Sequence, residues 1–309
     1  NVDRIEVLKG PASILYGRAE PGGIINFVTK QPQRTPHYSV RQRLGSWNLR
    51  RTDLDATGAV GDGPFSYRVI GAYQRNGSWL DHYNEERNFI APSLSLDINE
   101  RTRTTLQMEY SNINYRGMGG HLGRVIPNID NRPPDIRRST NLSDPWAMQN
   151  QKYLMMTLNT EHSFNDDWSL RHNLSYSRFA DTISVLYPHV TAASNGDVGK
   201  NFWVQNPYGD DAVVKNLYSS LELTGKFDTW NVRHTVLAGA DYSSRNQDYA
   251  RYWLYSPPAS WSTNVFNPVY TAAPPAIPDA DVSYYSPRVP WYGFYLQDQM
   301  QLPYDVFVL

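Results

Sequence analysis

The sequence predicts an all-β chain whose strands cross a bilayer. Three observations predict it: a period-two apolar pattern from Tyr38 onward, patterned stretches of about 10 to 15 residues, and connections that alternate between short and long. Ordinary globular strands run about 5 to 6 residues, whereas a tilted strand crossing a bilayer takes about 9 to 11. Short turns fall near Gly61-Asp62-Gly63-Pro64, Ile98-Asn99-Glu100-Arg101, Asn165-Asp166-Asp167 and Phe227-Asp228-Thr229. Between them lie longer segments at about 78–87, 116–150, 186–211 and 251–289. Tight turns at one end and long loops at the other are the asymmetry of outer-membrane barrels.

The N-terminal stretch comes first. Val2 to Leu8 alternates as a strand, and Ile24 to Lys30 as a second. Gly22-Gly23 before the second strand allows positive φ and close backbone packing. Gln31 to Pro36 reads as a linker. In the patterned region, Phe65, Tyr67, Val69, Gly71 and Tyr73 share one face, as do Ile90, Pro92, Leu94, Leu96 and Ile98. Leu154, Met156 and Leu158 continue the pattern. So do Val232, Val236, Ala238, Ala240 and Tyr242, with His234 on their face. The last such face is Tyr292, Phe294, Leu296, Met300 and Leu302, with Asp298 among them. The opposite faces carry Arg, Gln, Asn and Ser, which suit a wet or plugged lumen better than a dry core. Trp168, Tyr176, Trp230, Tyr242, Tyr292 and Tyr295 are candidates for an aromatic girdle; ordinary β-core aromatics are the alternative. Segment 251–289, rich in Pro and aromatics, reads either as a stiffened surface loop or as a ligand-facing one.

Composition narrows the function classes. The 309 residues carry 29 Lys+Arg against 30 Asp+Glu, no Cys, 22 Tyr and 9 Trp. Near-zero net charge excludes a strongly basic nucleic-acid surface. The lack of Cys removes disulfides, thiolate metal sites and cysteine nucleophiles. Mean hydropathy is −0.58, and no apolar run approaches the roughly 18 residues of a membrane helix. A chain opening on Asn1 and closing on Val306-Phe307-Val308-Leu309, inside a new strand, reads as a piece of a longer protein. No H-E-x-x-H, G-x-S-x-G or phosphate-binding glycine loop occurs, so no enzyme is expected. The seven His are scattered, and His162 with His172 is better read as an interfacial or pore-lining pair than as a metal pair.

The run VDRIEVLKGPASILYGRAEPGGIINFVTKQP (residues 2–32) resembles the end of the plug domain of TonB-dependent siderophore receptors. GSWNLRRTDLDATGAV (45–60) and YGFYLQDQM (292–300) resemble the barrel of the same family, so the likeness covers the whole chain. The ferric-siderophore branch, with its ferrichrome and pyoverdine receptors, is the nearest likeness. The resemblance implies an outer-membrane barrel of about 22 antiparallel strands around an internal plug. Residues 1–36 would be the C-terminal end of the plug with its linker. Residues 37–309 would be about the first ten barrel strands, an incomplete wall with open edges that should not fold stably alone. The implied function is import of a ferric siderophore across the bacterial outer membrane with energy from TonB and its inner-membrane complex. The contact region for TonB would lie outside this stretch. No resident cofactor or metal is expected, since iron arrives inside its chelator. Outer-membrane lipid is an expected partner, as is phage or bacteriocin docking.

A chelate is held by aromatic planes, hydrogen-bond donors and positive charge on the outer loops. Arg116, His121, Tyr187, Trp203, Tyr208 and Trp253 are the candidates as a set. Arg116 to Arg124 resembles an R-G-x-P-x-x-G stretch of the family, with Gly119 in place of Pro. Arg4 and Glu6 are the plug charges expected to pair with the barrel wall, at Glu109 or Arg171. Gly10, Tyr16, Gly17, Gly22 and Gly23 are expected to shape the plug. The alternatives are the same fold with another cargo (cobalamin, haem, a copper chelate or an oligosaccharide), a secreted all-β binding or hydrolytic domain, and a passive porin.

Overall fold

The computed structural model describes residues 1–9, 22–118, 136–188, 196–205, 213–254, 262–274, 276 and 282–308. Within them the period-two stretches form one continuous antiparallel sheet of 13 strands. Two small sheets stand apart: β1 (Val2–Lys9) pairs with β2 (Gly23–Thr29), and β10 (Asp197–Val198) pairs with β14 (Thr263–Asn264). Gly23 is required where β2 begins. Its φ is +129°, and an added Cβ would sit 2.2 Å from the Leu8 carbonyl oxygen.

The large sheet begins as a meander in which each strand pairs with the next. Its members are β3 (His37–Gly45), β4 (Leu49–Ala59), β5 (Phe65–Gly77), β6 (Asn84–Asn99), β7 (Thr102–Arg116), β8 (Met148–Ser163) and β9 (Trp168–Pro188). The chain then forms β10 (Asp197–Val198), β11 (Lys200–Gln205), β12 (Val213–Thr229) and β13 (Val232–Leu254). After β14 (Thr263–Asn264) and β15 (Ser283–Tyr285), β16 (Arg288–Leu302) and β17 (Val306–Val308) complete it. β11 and β12 lie in line between β9 and β13: β12 pairs with β9 from Trp168 to Ala180, and β11 takes over from Ile183 to Pro188. β3 and β17 are the sheet's edges.

The connections follow the expected rhythm with three differences. The segment predicted at 78–87 is shorter, because β6 starts at Asn84. The first loop-end connection, Ser46-Trp47-Asn48, is itself a tight turn, so the alternation is not strict there. Trp47 and Asn48, the two central residues of the turn, hold φ of 55° and 58°, and the Leu49 amide donates to the Ser46 carbonyl at 3.2 Å. Phe227 to Thr229 belong to β12, and the turn falls at Trp230-Asn231 instead. Several strands also exceed the predicted length: β9 has 21 residues and β13 has 23. Spanning takes about 9 to 11, so their loop-end halves project beyond a bilayer and carry the loops.

Register fixes the two faces, since direct partners in an antiparallel ladder share a side. One face carries Val40, Leu54, Val69, Ile90, Leu94, Leu106, Met156, Leu174, Leu221, Phe294 and Leu296, all exposed. The other carries Asp55, Thr57, Arg68, Gln107 and Glu109, and it is the face that the N-terminal segment touches. The apolar face therefore suits lipid and the polar face a lumen. Trp168, Tyr176, Tyr242 and Tyr292 lie on the apolar face, the last two with ring centroids 5.0 Å apart. Trp230 sits in the β12–β13 turn, 95% exposed. Tyr295 corrects the girdle expectation. It falls between Phe294 and Leu296, so it faces the lumen, where its hydroxyl donates to Glu222 at 2.9 Å.

Candidate functional site

Two places on this frame bring chemistry-bearing residues together: the seat of the N-terminal segment on the lumen wall, and a cap at the long-loop end. At the seat, Asp55 accepts from Arg68 Nε at 2.8 Å and Nη2 at 2.7 Å, and from Lys30 Nζ at 2.9 Å. Arg68 Nη1 also donates to the Gln31 carbonyl at 3.1 Å. The Gln33 amide donates to Thr57 Oγ1 at 2.9 Å, and Gln107 Nε2 to Thr29 Oγ1 at 3.2 Å. Asn1 Nδ2 donates to Glu109. The wall thus holds residues 29–33 chiefly through a three-membered charge cluster. Arg68 is nearly sealed, while Lys30 keeps 36% of its side chain exposed.

Arg4 and Glu6 do not take this part among the described residues. Arg4 Nε bonds Glu6 Oε1 at 2.7 Å, and Asn26 Nδ2 donates to Glu6 Oε2 at 2.9 Å. The pair closes along β1, and Asn26 joins it from β2. The hydrogen bond from Asn26, followed by that from Arg4, holds the Glu6 carboxyl below the usual carboxylate range. The two wall residues expected as their partners are engaged elsewhere. Glu109 meets Asn1, and Arg171 lies 3.2 Å from Glu161 and 3.7 Å from Glu222. Lys30, not singled out from the sequence, supplies the ion pair to the wall.

At the other end, four connections pack into one cap. Asp144 is fully buried and accepts from Lys200 Nζ at 2.8 Å. Its second oxygen accepts from the Thr271 amide at 2.6 Å and hydroxyl at 2.9 Å. Trp146 Nε1 donates to the same hydroxyl at 2.9 Å. Asn141 Nδ2 bridges the Gly117 and Asp81 carbonyls, both at 2.8 Å. The Tyr270 hydroxyl donates to the Asn141 carbonyl at 2.9 Å, and its ring lies 5.6 Å from the Lys200 ammonium. Burial, then the charge of Asp81, pushes the Tyr270 phenol up. Burial and the neighbouring Glu85 carboxylate push the Tyr83 phenol up to about 12. Leu142, Val198 and Val265 form a sealed apolar centre beside the ionic knot. Gly117 closes the cap: its φ is +65°, and a Cβ there would meet the His82 carbonyl oxygen at 2.5 Å.

The sequence candidates fall unevenly around this cap. His121 and Tyr208 lie outside the described residues, as do Gly10, Tyr16 and Gly17. Trp203 and Trp253 are direct partners across β11–β13. Trp203 packs against Ala147, Ile183 and Val185, so part of its ring is structural. Tyr187 pairs in register with Asn201. Arg116 ends β7 on the face of Leu106 and Tyr110, away from the lumen. Gly22 and Gly23 lead into β2. His162 bonds Thr102 at 2.8 Å, and His172 lies 3.3 Å from Ser219 Oγ, so the two occupy separate sites. Among the described residues no group of His, Asp and Glu is placed to hold a metal ion. The sequence pattern carries no signal for Asp81, Asn141, Asp144, Lys200 or Thr271, because loop residues have no period.

Such a wall, polar inside, apolar outside and capped by loops at one end, defines the class: a stretch of an outer-membrane β-barrel. No family model matches the chain. It is 30% identical over 305 residues to the ferrioxamine B receptor of Salmonella typhimurium, with 97% of this chain and 41% of that protein covered. It is 27% identical over 288 residues to the ferrichrome outer membrane transporter and phage receptor of Escherichia coli, with 87% and 38% covered. Among solved structures, the pyoverdine outer membrane receptor of Pseudomonas aeruginosa bound to pyoverdine superposes with a TM-score of 0.83 at 23% identity, over 96% of this chain and 43% of that one. A pyocin-bound receptor complex gives 0.81. The chain spans about two-fifths of the length of the curated relatives it matches. Its relatives are transport receptors, and the resemblance to TonB-dependent siderophore receptors stands.

Proposed function

We propose that this chain supplies wall and cap to an outer-membrane receptor that binds a ferric siderophore at the loop end and imports it with energy from TonB. Residues 1–36 read as the end of the plug with its linker, and residues 37–309 as barrel wall. The observation that carries the reading is the seat on the lumen face. A segment that is not part of the wall is held there by Lys30, Gln31 and Gln33, on a sheet whose opposite face is apolar. A passive porin has no use for such a seat. One side of the β1–β2 sheet, with Ile5, Val7, Ile25 and Phe27, is exposed, which fits a plug whose remaining elements cover it. The kinship with ferrioxamine, ferrichrome and pyoverdine receptors supports a siderophore as cargo. The protein's work is binding and passage, with no bond broken. Outer-membrane lipid is its solvent, TonB its energy source, and phage or bacteriocins its further visitors.

The test is titration of the complete receptor with ferric hydroxamate, ferric catecholate and mixed siderophores, haem and cobalamin, followed by tryptophan quenching. Saturable quenching by one siderophore class is the expected result. Response to haem or cobalamin alone would replace the cargo and keep the fold.

A further inference from the structure

Two neighbouring turns at the short-connection end display aromatic rings where a small residue is expected. Trp230 opens the β12–β13 turn at φ 53°, and Tyr304, between β16 and β17, sits at φ 67° and ψ 27°. Both are in the left-handed region that glycine fills at least cost. Gly61, at φ 59°, takes that part in the β4–β5 turn. Trp230 is 95% exposed and Tyr304 98%. The chain accepts backbone strain at two places and buries almost nothing in return, which points to function rather than folding.

The two turns are adjacent, because β13 pairs with β16. Between them lies an open cavity of about 310 Å³ lined by Asp228, Trp230, Asn231, Arg233, Gln301 and Tyr304. Register gives its side. Arg233 pairs with Asp228 on β12 and Gln301 on β16, and Gln301 continues the parity of Tyr295, Gln297 and Gln299. The cavity therefore opens at the lumen's mouth, at the end opposite the cap, and not toward lipid. Its lining repeats what a chelate requires: aromatic planes, a guanidinium and amide donors. Arg233 meets Asp228 at 3.4 Å, but the two side chains are 66% and 65% exposed. An ion pair so exposed holds its members weakly. Arg233 can exchange the carboxylate for anionic oxygens of a ligand, which its fork meets two at a time.

We propose that this cavity is an exit subsite, which receives an anionic ferric siderophore as it leaves the lumen. One flank of the chelate stacks on Trp230 and Tyr304, and its anionic oxygens meet Arg233. The subsite rests on the siderophore reading of the chain and is separate from the contacts at the cap. Its affinity is low, because an open cavity leaves much of the chelate in water, and low affinity lets the cargo depart.

The experiment uses the complete receptor in neutral detergent, where both ends meet the solution. Ferric hydroxamate, ferric catecholate and mixed-type siderophores are each titrated past saturation, with bound iron counted by equilibrium dialysis. A second equivalent should bind roughly tenfold or more weakly than the first. W230G, Y304G and R233Q should each weaken that second equivalent by about tenfold and leave the first unchanged. In cells, R233Q should slow uptake at saturating siderophore by about threefold, with the half-saturating concentration unchanged. One equivalent only, or a second that the variants do not weaken, would overturn the subsite. Unchanged uptake in a variant that has lost the second equivalent would overturn its role in exit. Glycine accepts both φ values, so W230G and Y304G should fold; if either does not, R233Q decides alone. Saturable binding of none of the three siderophores would overturn the siderophore reading and the subsite with it, whereas an intact first equivalent without a second overturns the subsite alone.

Discussion

Two aspartates, Asp144 in the cap and Asp55 on the wall, are both buried and both held by cations, yet their partners differ in kind. Asp144 has one cation, Lys200, and Thr271 completes its shell. Asp144 and Thr271 lie on two different connections and Lys200 opens β11, so the knot exists only when the cap is assembled. Asp55 has two cations: Arg68, one strand away and nearly sealed, and Lys30, half exposed on the N-terminal segment. If Lys30 leaves, Arg68 still satisfies Asp55 through two hydrogen bonds. The first arrangement locks loops together; the second lets a segment depart without stranding a buried charge.

Breaking the knot should have the largest effect. K200M leaves Asp144 buried and unpaired, and should cost about 3 to 5 kcal/mol, read as loss of loop protection against limited proteolysis in the complete receptor. On the wall, R68M should cost less, about 1 to 3 kcal/mol, because Lys30 remains. Thermal unfolding checks it, and a loss as large as that of K200M would erase the contrast. K30M should cost about 1 kcal/mol or less, while hydrogen exchange over residues 23–30 speeds up and exchange over β4–β5 stays unchanged.

The smallest effect concerns Glu6. Its folded carboxyl titrates below its unfolded value, held down first by Asn26 and then by Arg4. The pair's contribution is therefore full above the ordinary carboxylate range and is lost as pH falls through it and below. Protection factors in β1–β2, corrected for the intrinsic exchange rate at each pH, should fall with acid in the wild type and lose that pH dependence in E6Q.

The two regions were not equally legible in the sequence. The wall was, since Leu94 to Ile98 or Phe294 to Leu296 can alternate only one way on a half-buried sheet. The N-terminal strands were legible too, through their glycine turn. The cap was not. Asp144 and Lys200 are 56 positions apart, and nothing local marks them as partners. Arg116 was read as a loop residue, whereas it ends β7, and only register gives it a face. Tyr295 was misread as girdle for the converse reason: aromatic type suggested lipid, whereas parity with Gln297 and Gln299 places it in the lumen.

The wall's two-faced character underlies all of these contrasts, and it is directly measurable with single cysteines in this cysteine-free stretch, any cysteine elsewhere in the complete receptor being replaced by serine. Single substitutions Leu106→Cys and Gln107→Cys in the complete receptor, each carrying a fluorescent label in native outer membranes, place neighbouring probes on opposite faces. A lipid-soluble quencher should dim the label at 106 and spare that at 107, with a water-soluble quencher doing the reverse. Equal quenching of both labels by the lipid-soluble agent, or an inverted pattern, would contradict the assignment of lumen and lipid faces on which the account stands.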